Sequence, residues 1–325
     1  MESFKEVLIT EEFKNLRLDV FLTKNDFASS RAKALRLISS QAVFLKGKAL
    51  KASYRLRSGD LLKVFLSPDD SHQKDILSPY DYPLEIVFED EEILVVNKPA
   101  GLVVHPAPGH KDKTLVNILS SKKKLSPGSQ NLRPGVVHRL DKGASGLLIL
   151  AKTKRSEQDL IQQFKRQEIQ RKYWAIALRA PAPYEDQIET WIGRHPVLRK
   201  KFIALKEFRA GSKKAVTFYQ LIKQHSSGIS WIHCQLKTGR THQIRVHLSS
   251  IGCPLLGDSL YGQKKLSFIK DQGLKKEIQD LDRIALHAYF LQFIHPQSKK
   301  TLFFEIPWPE ELYFLLKKLK FLDLK

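Results

Sequence analysis

The stretch Val137-His138-Arg139-Leu140-Asp141-Lys142-Gly143-Ala144-Ser145-Gly146 sets one carboxylate between two cations. A neighbouring positive charge favours the ionised form of an acid. An ionised carboxylate on a loop anchored by rigid strands is a competent nucleophile. The apolar runs at residues 136–138 and 147–152 read as those strands, with Asp141 in the glycine-containing loop between them. The same spacing also suits an Asp that caps its own turn, and the loop by itself does not choose between the two. A serine hydrolase using Ser145 with His138 fails on pattern. Its strand-to-helix elbow needs Gly-x-Ser-x-Gly, and this loop reads Gly-Ala-Ser-Gly-Leu.

The chain around this loop is basic. Its 325 residues carry 55 Lys and Arg against 34 Asp and Glu, a formal charge of +21. Such an excess favours a polyanionic partner through phosphate neutralisation and counterion release. No apolar run is long enough to span a bilayer, and the opening Met1-Glu2-Ser3-Phe4-Lys5-Glu6 lacks the apolar core of a signal peptide. The basic, leucine-rich stretch at 310–325 fits a C-terminal helix packed on the core, or an amphipathic surface helix. Cys234 and Cys253 stand far apart without metal-ligand spacing, which points to a reducing, cytoplasmic setting and no zinc. RNA, rather than DNA or a membrane, is the expected partner.

Two domains are expected to position the loop. Residues 1–67, with a core at about 16–66, read as a small α/β unit with a helix at 17–22 and a second ending at Ser39. Ser29 or Ser30 suits the N-cap of that second helix. Leu35, Ile38 and Ala42 form one stripe of it, and Ser29, Lys33, Arg36 and Ser40 another. β-runs follow at 42–46 and 61–66 around a Ser58-Gly59-Asp60 turn. Residues 68–79 form a polar linker. Residues 80–325 read as an α+β domain with a mixed, mainly antiparallel sheet. Strands are expected at 84–88, 93–97, 136–138, 147–152, 173–178, 215–222, 231–236 and 301–306, and helices at 156–166, 241–251 and 309–322. Lysine-rich clusters at 122–124, 199–201, 213–214 and 264–265 fall in expected loops, where they solvate the chain or touch phosphates.

Four ordered segments carry a family resemblance. They are Asn97-Lys98-Pro99-Ala100-Gly101-Leu102-Val103-Val104-His105-Pro106, the His138-Arg139-Leu140-Asp141 loop, Gln170-Arg171-Lys172-Tyr173-Trp174-Ala175, and the long run from Leu236 to Leu248 continuing at Gly252 to Gly262. Together they resemble the RluA-type family of RNA pseudouridine synthases over about residues 84–307. The N-terminal unit resembles the small RNA-binding domain named after ribosomal protein S4. The Val-Val-His-Pro wording is similar to that of members acting on a stem-loop of large-subunit ribosomal RNA, free or in a pre-ribosomal particle.

The resemblance implies a redox-neutral isomerisation with no cofactor, and the chain is expected to act as a monomer. No Walker loop, dinucleotide fingerprint or paired metal ligands occur in the sequence. By resemblance, Asp141 is the nucleophile or charge-stabilising carboxylate, attacking either the ribose anomeric carbon or the uracil ring. Arg245 is its basic partner, and a guanidinium can hold a carboxylate bidentately. Tyr173 is the active-site ring that stacks on a flipped uracil or moves a proton. Flipping the base costs about a few kcal/mol; Arg139 either fills the vacated space or serves as a structural partner of Asp141. Leu140, Gly239, Arg240, His242 and Gln243 are expected around the substrate, the last two offering helix-start N–H groups to phosphate. Arg31, Lys33 and Arg36 are expected to touch RNA from the small unit. His105 and His138 read as packing residues rather than bases.

Two departures stand out. Family members usually carry Thr where this chain has Ala144, which leaves the rigidity of the Asp141 loop open. Residues 40–47 lack the usual glycine and asparagine of the small domain's pattern. A non-catalytic RNA-binding or ribosome-assembly protein on the same fold is the rival reading.

Overall fold

In the computed structural model the chain divides into two compact units, Met1–Ile76 and Leu77–Lys325. The structure describes residues 3–28, 31–66, 77–78, 80–107, 110, 112–121, 125, 133–262, 266 and 269–322. The Ser29/Ser30 cap, linker residues 68–76 and 79, and the lysine clusters at 122–124 and 264–265 lie outside them.

The first unit runs β1 (Ser3–Leu8), α1 (Leu18–Lys24), α2 (Arg31–Ser39), β2 (Val43–Leu45), β3 (Lys48–Ala49) and β4 (Leu61–Leu66). Its sheet has the order β1-β4-β2-β3. Leu18, Phe21 and Leu22 of α1 meet Ala34, Leu37 and Ile38 of α2 in one core with Val43, Leu62 and Val64. The buried stripe of α2 therefore differs from the expected one: Leu35 is exposed and Ala34 and Leu37 point inward. Residues three and four apart share a helix face, so Ala34, Leu37 and Ile38 satisfy the period as well as the expected stripe did, and they meet α1. Asp19, also on α1, is buried and ion-paired to Arg17 at 3.0 Å and Arg31 at 2.7 Å.

The second unit is α+β. It begins with β5 (Glu85–Glu89), β6 (Ile93–Lys98), α3 (Leu115–Ser121), β7 (Ser145–Ala151) and α4 (Lys154–Arg166). Next come β8 (Gln170–Ala177), β9 (Glu185–Arg194), β10 (Phe202–Leu205), β11 (Lys213–Gln224), β12 (Ser230–Leu236) and α5 (Gln243–Ser250). It closes with α6 (Gln272–Gln279), β13 (Leu286–Ile294), β14 (Thr301–Glu305) and α7 (Glu310–Lys318). The sheet reads β10-β9-β11-β12-β8-β13-β7-β6-β5, with β14 on β13. Its pairings are antiparallel except β13 with β7, which are parallel over only two residue pairs, His287 with Ser145 and Ala288 with Gly146.

Strand chemistry follows burial. All seven residues of β7 are buried, the continuous apolar run of a strand covered on both faces. Leu94, Val96, Leu148 and Leu150 pack with α3 and α5, while Ile93, Val95, Leu147 and Ile149 pack against Leu160 of α4. Thr153 caps α4 by accepting the Ser156 N–H at 3.1 Å. The expected strand at 136–138 is absent. Val136 makes one isolated bridge to Leu150, because Gly135 turns the chain at φ +63° and a run of three residues gains little pairing. No helix among the described residues is long and apolar enough to cross a membrane.

Candidate active site

Asp141 sits in the segment leading into β7, and three backbone bonds set its place. Ala144 N–H donates to the Asp141 carbonyl at 3.2 Å, Gly101 N–H to that of Lys142 at 2.8 Å, and Ile284 N–H to that of Gly143 at 3.2 Å. The loop is thus tied to the first motif and to the approach of β13. Gly146 lets β7 lie close against β13 just beyond that tie. At φ +115°, a Cβ there would lie 2.3 Å from the Ala288 carbonyl oxygen. Ala144 is 1% exposed and packs in the main core, so the loop is held by main-chain bonds and packing without a side-chain hydroxyl at that position.

Arg245, on the first turn of α5, donates from Nη1 to Asp141 Oδ2 at 3.1 Å. Its fork, however, faces another acid. Nε and Nη2 donate to Asp258 Oδ2 and Oδ1 at 2.7 and 2.9 Å. Asp258 has a fully buried side chain, and its Oδ1 also accepts the N–H groups of Leu260 and Tyr261. The bidentate fork expected for Asp141 is therefore used by Asp258, and among the described residues the Asp141 side chain receives one hydrogen bond. Burial alone would lower the Arg245 pKa, but the two carboxylates push it up. The guanidinium lies over the Tyr261 ring, 4.9 Å from its centroid.

A cavity of about 500 Å³ opens on Asp141 and is lined also by Arg139, Tyr173, Gly239, Arg240 and Arg171. Tyr173, from β8, is 4% exposed. Burial raises its pKa, helped by Asp141 and opposed by Arg171, so the phenol is neutral and able to donate. Arg139 is exposed at the rim. Arg240 is exposed as well, and its Nε donates to the Lys214 carbonyl at 3.0 Å.

Three side chains expected around the substrate make contacts within the protein. Leu140 is 5% exposed and belongs to the core, because the residue beside Asp141 points to the opposite side of the chain. Gln243 is saturated. Its Oε1 accepts from Thr238 Oγ1 and Arg240 N–H, and its Nε2 donates to the Val216 carbonyl and Thr217 Oγ1. Its side chain locks the turn before α5. His242, at φ +57°, shares a 2.9 Å hydrogen bond between Nδ1 and the Tyr261 hydroxyl. Burial lowers its pKa, so it carries little charge for phosphate.

The packing role read for the two other histidines matches their surroundings. His138 Nε2 accepts the Ile149 N–H at 3.1 Å, and burial lowers its pKa to about 3. Burial takes His105 to about 4. Ser145 Oγ is hydrogen-bonded to His287 Nδ1 at 2.8 Å, and Arg283 Nη2 donates to the same oxygen, so no Ser145–His138 dyad exists. In the small unit, Arg36 is exposed, Lys33 is half-buried, and Arg31 is engaged with Asp19.

Reading the sequence missed the part played by Asp258 and Lys98, although both lie in quoted motifs. Lys98 is fully buried and donates from Nζ to the carbonyls of Pro99 at 2.7 Å and Leu102 at 2.9 Å. Burial lowers its pKa to about 7 against the attraction of Asp141. A lysine followed by Pro and Gly in an apolar strand end was the available signal.

Fold and site together define an α+β unit with a carboxylate-bearing cavity, in a chain that also carries a small unit of sheet and helices. The family model for RNA pseudouridylate synthase matches residues 92–250, and that for the S4 domain residues 16–62. A ribosomal large subunit pseudouridine synthase D of Zymomonas mobilis is 42% identical over 97% of both chains. An uncharacterized RNA pseudouridine synthase of Bacillus subtilis is 36% identical, over 97% of this chain and 98% of its own. The solved structure of human RNA pseudouridylate synthase domain containing 4 superposes with a TM-score of 0.56 at 26% identity, covering 73% of this chain and 93% of that one. The chain belongs to the RNA pseudouridine synthases of the RluA type, and is an isomerase.

Proposed function

We propose that the chain converts uridines of large-subunit ribosomal RNA to pseudouridine, with Asp141 as the attacking or charge-balancing carboxylate. The observation that carries this is the placement of Asp141 in one cavity with Tyr173, under the Nη1 of Arg245. The relatives named for the ribosomal large subunit support the substrate. The reaction breaks the bond from ribose C1′ to uracil N1 and joins C1′ to C5. The C5 proton leaves and N1 gains one, so no oxidant or reductant is consumed.

In this reading the target uridine flips out of its stack and enters the cavity. Arg139, exposed at the rim, takes the vacated place. Tyr173 lies against the uracil, and its neutral phenol is available to move a proton. Arg245 keeps the Asp141 carboxylate aimed. The small unit, with Arg36 exposed on α2, adds RNA contacts.

The test is release of tritium from ribosomal RNA labelled at uracil C5. Asp141→Asn is expected to bind RNA and release none above background, whereas release at the wild-type rate would overturn the assignment. Carbodiimide-based mapping in RNA from cells with and without the gene then identifies the modified positions.

A further inference from the structure

Arg171 is a buried cation without a counter-charge. It is 8% exposed, its Nε is sealed from solvent with no hydrogen-bond partner, and among the described residues it makes no ion pair. Burial lowers its pKa, with Tyr173 opposing. Its guanidinium carbon lies 5.1 Å from the centroid of the Phe164 ring, which orients the group without neutralising it. An uncompensated buried charge is destabilising, so the fold keeps Arg171 at a cost that packing does not explain.

The side chain lines the cavity that also holds Asp141 and Tyr173. Gly239 closes over the guanidinium, and a Cβ at that position would lie 2.8 Å from Nη1. Arg171 and Tyr173 are two residues apart on β8 and share a face, which spaces them by about 7 Å along the strand. That spacing is comparable to the distance from a stacked base to the phosphate of its own nucleotide. Lys165, Lys237 and Arg240 line the same cavity, adding positive charge.

We propose that Arg171 is a phosphate-binding residue that takes a phosphate flanking the flipped uridine, so that the nucleotide is held by its backbone while Tyr173 meets its base. The free protein carries the uncompensated charge, and bound RNA supplies the missing anion. A planar guanidinium suits phosphate because its N–H groups match two oxygens. This rests on the reading of the cavity as the uridine site.

The experiment uses the full chain with Arg171→Met and Gly239→Ala, and short substrate RNAs with one methylphosphonate on the 5′ or the 3′ side of the target uridine. The neutral linkage is expected to weaken wild-type binding roughly tenfold or more, as loss of a charge-assisted hydrogen bond does. Arg171→Met is expected to bind ordinary RNA as weakly, to be indifferent to the neutral linkage on one side, and to lower the salt slope of binding by about one. Its melting temperature should be unchanged or higher, which a merely structural arginine would not give. Gly239→Ala, which displaces only a side-chain end, should reproduce the binding loss. If the two neutral linkages weaken Arg171→Met as much as wild type, or if the variant melts well below wild type with its salt slope intact, the phosphate assignment falls. If wild-type protein does not isomerise the unmodified RNA, it is the proposed function that falls.

Discussion

Arg245 gives Asp258 its Nε and Nη2, at 2.7 and 2.9 Å, and offers Asp141 only Nη1, at 3.1 Å. The buried acid fixes the guanidinium, and the guanidinium then holds Asp141. Among the described residues, Asp141 receives a single charge-assisted side-chain bond, on Oδ2.

Asp258→Ala is therefore expected to cost more stability than Asp141→Ala. Removing one partner of a buried ion pair costs about 3–5 kcal/mol, and Asp258 also accepts two backbone N–H groups. Asp141 is partly exposed and gives up one bond, so its loss should cost about 1 kcal/mol or less. Urea denaturation of both variants checks this; equal losses would contradict the division of labour. Both should fall to background in tritium release.

Ala144→Thr tests how the Asp141 loop is held. Ala144 is 1% exposed and surrounded by core side chains. Extra volume in a packed core costs about 1–3 kcal/mol. The variant should lower the free energy of unfolding by that amount without raising the rate of isomerisation. A faster enzyme would mean that the loop does lack the hydroxyl.

Stability should fall as pH is lowered from about 6.5 to 4. His247 and His287 are wholly buried, and burial takes them to about 4 and about 3 in the folded protein. Between those values and the ordinary histidine pKa of about 6.5, the unfolded chain binds more protons, so acid favours unfolding. The stabilisation is complete above pH 6.5 and is lost progressively below it. His247 accepts or shares hydrogen bonds with Thr217 and Thr190, and His247→Gln should flatten this limb. Denaturation curves at pH 7, 6, 5 and 4.5 are the measurement.

Arg31 and Arg36 should separate in the small unit. Arg31→Ala removes a partner of buried Asp19, which Arg17 and Arg31 hold at about 2 against the effect of burial. It should lower both RNA affinity and the stability of that unit. Arg36→Ala should weaken RNA binding with stability within about 0.5 kcal/mol of wild type. Filter binding across salt concentrations and thermal melts distinguish the two; identical behaviour would erase the distinction.

Much of this was legible in the sequence, for physical reasons that can be named. β7 was visible because an uninterrupted apolar run of strand length has few other fates. β12 was visible because its burial alternates. β9 was missed because Glu185, Asp186, Gln187 and Glu189 are exposed on it and hide the alternation. β13 was missed because buried His287 and half-buried Tyr289 and Phe290 blur its period. At the site, Asp141, Tyr173 and Arg245 were found through ordered motifs. The capture of the Arg245 fork by Asp258 was not, since two acids on separate loops compete for one cation only in three dimensions. The saturated Gln243 illustrates the same limit: a polar residue at a helix start reads as available until its four partners are in place.

The two-pair parallel junction between β7 and β13 has a mechanical meaning. Asp141 belongs to the side of the sheet that holds β5, β6 and β7, while Tyr173 and Arg245 belong with β8 and the strands beyond it. Asp141 and the side chains around it thus come from opposite sides of one short parallel seam. That seam, the Ile284–Gly143 backbone bond and the Asp141–Arg245 ion pair all cross between the two sides, so the width of the cavity is set by how closely β7 and β13 pack.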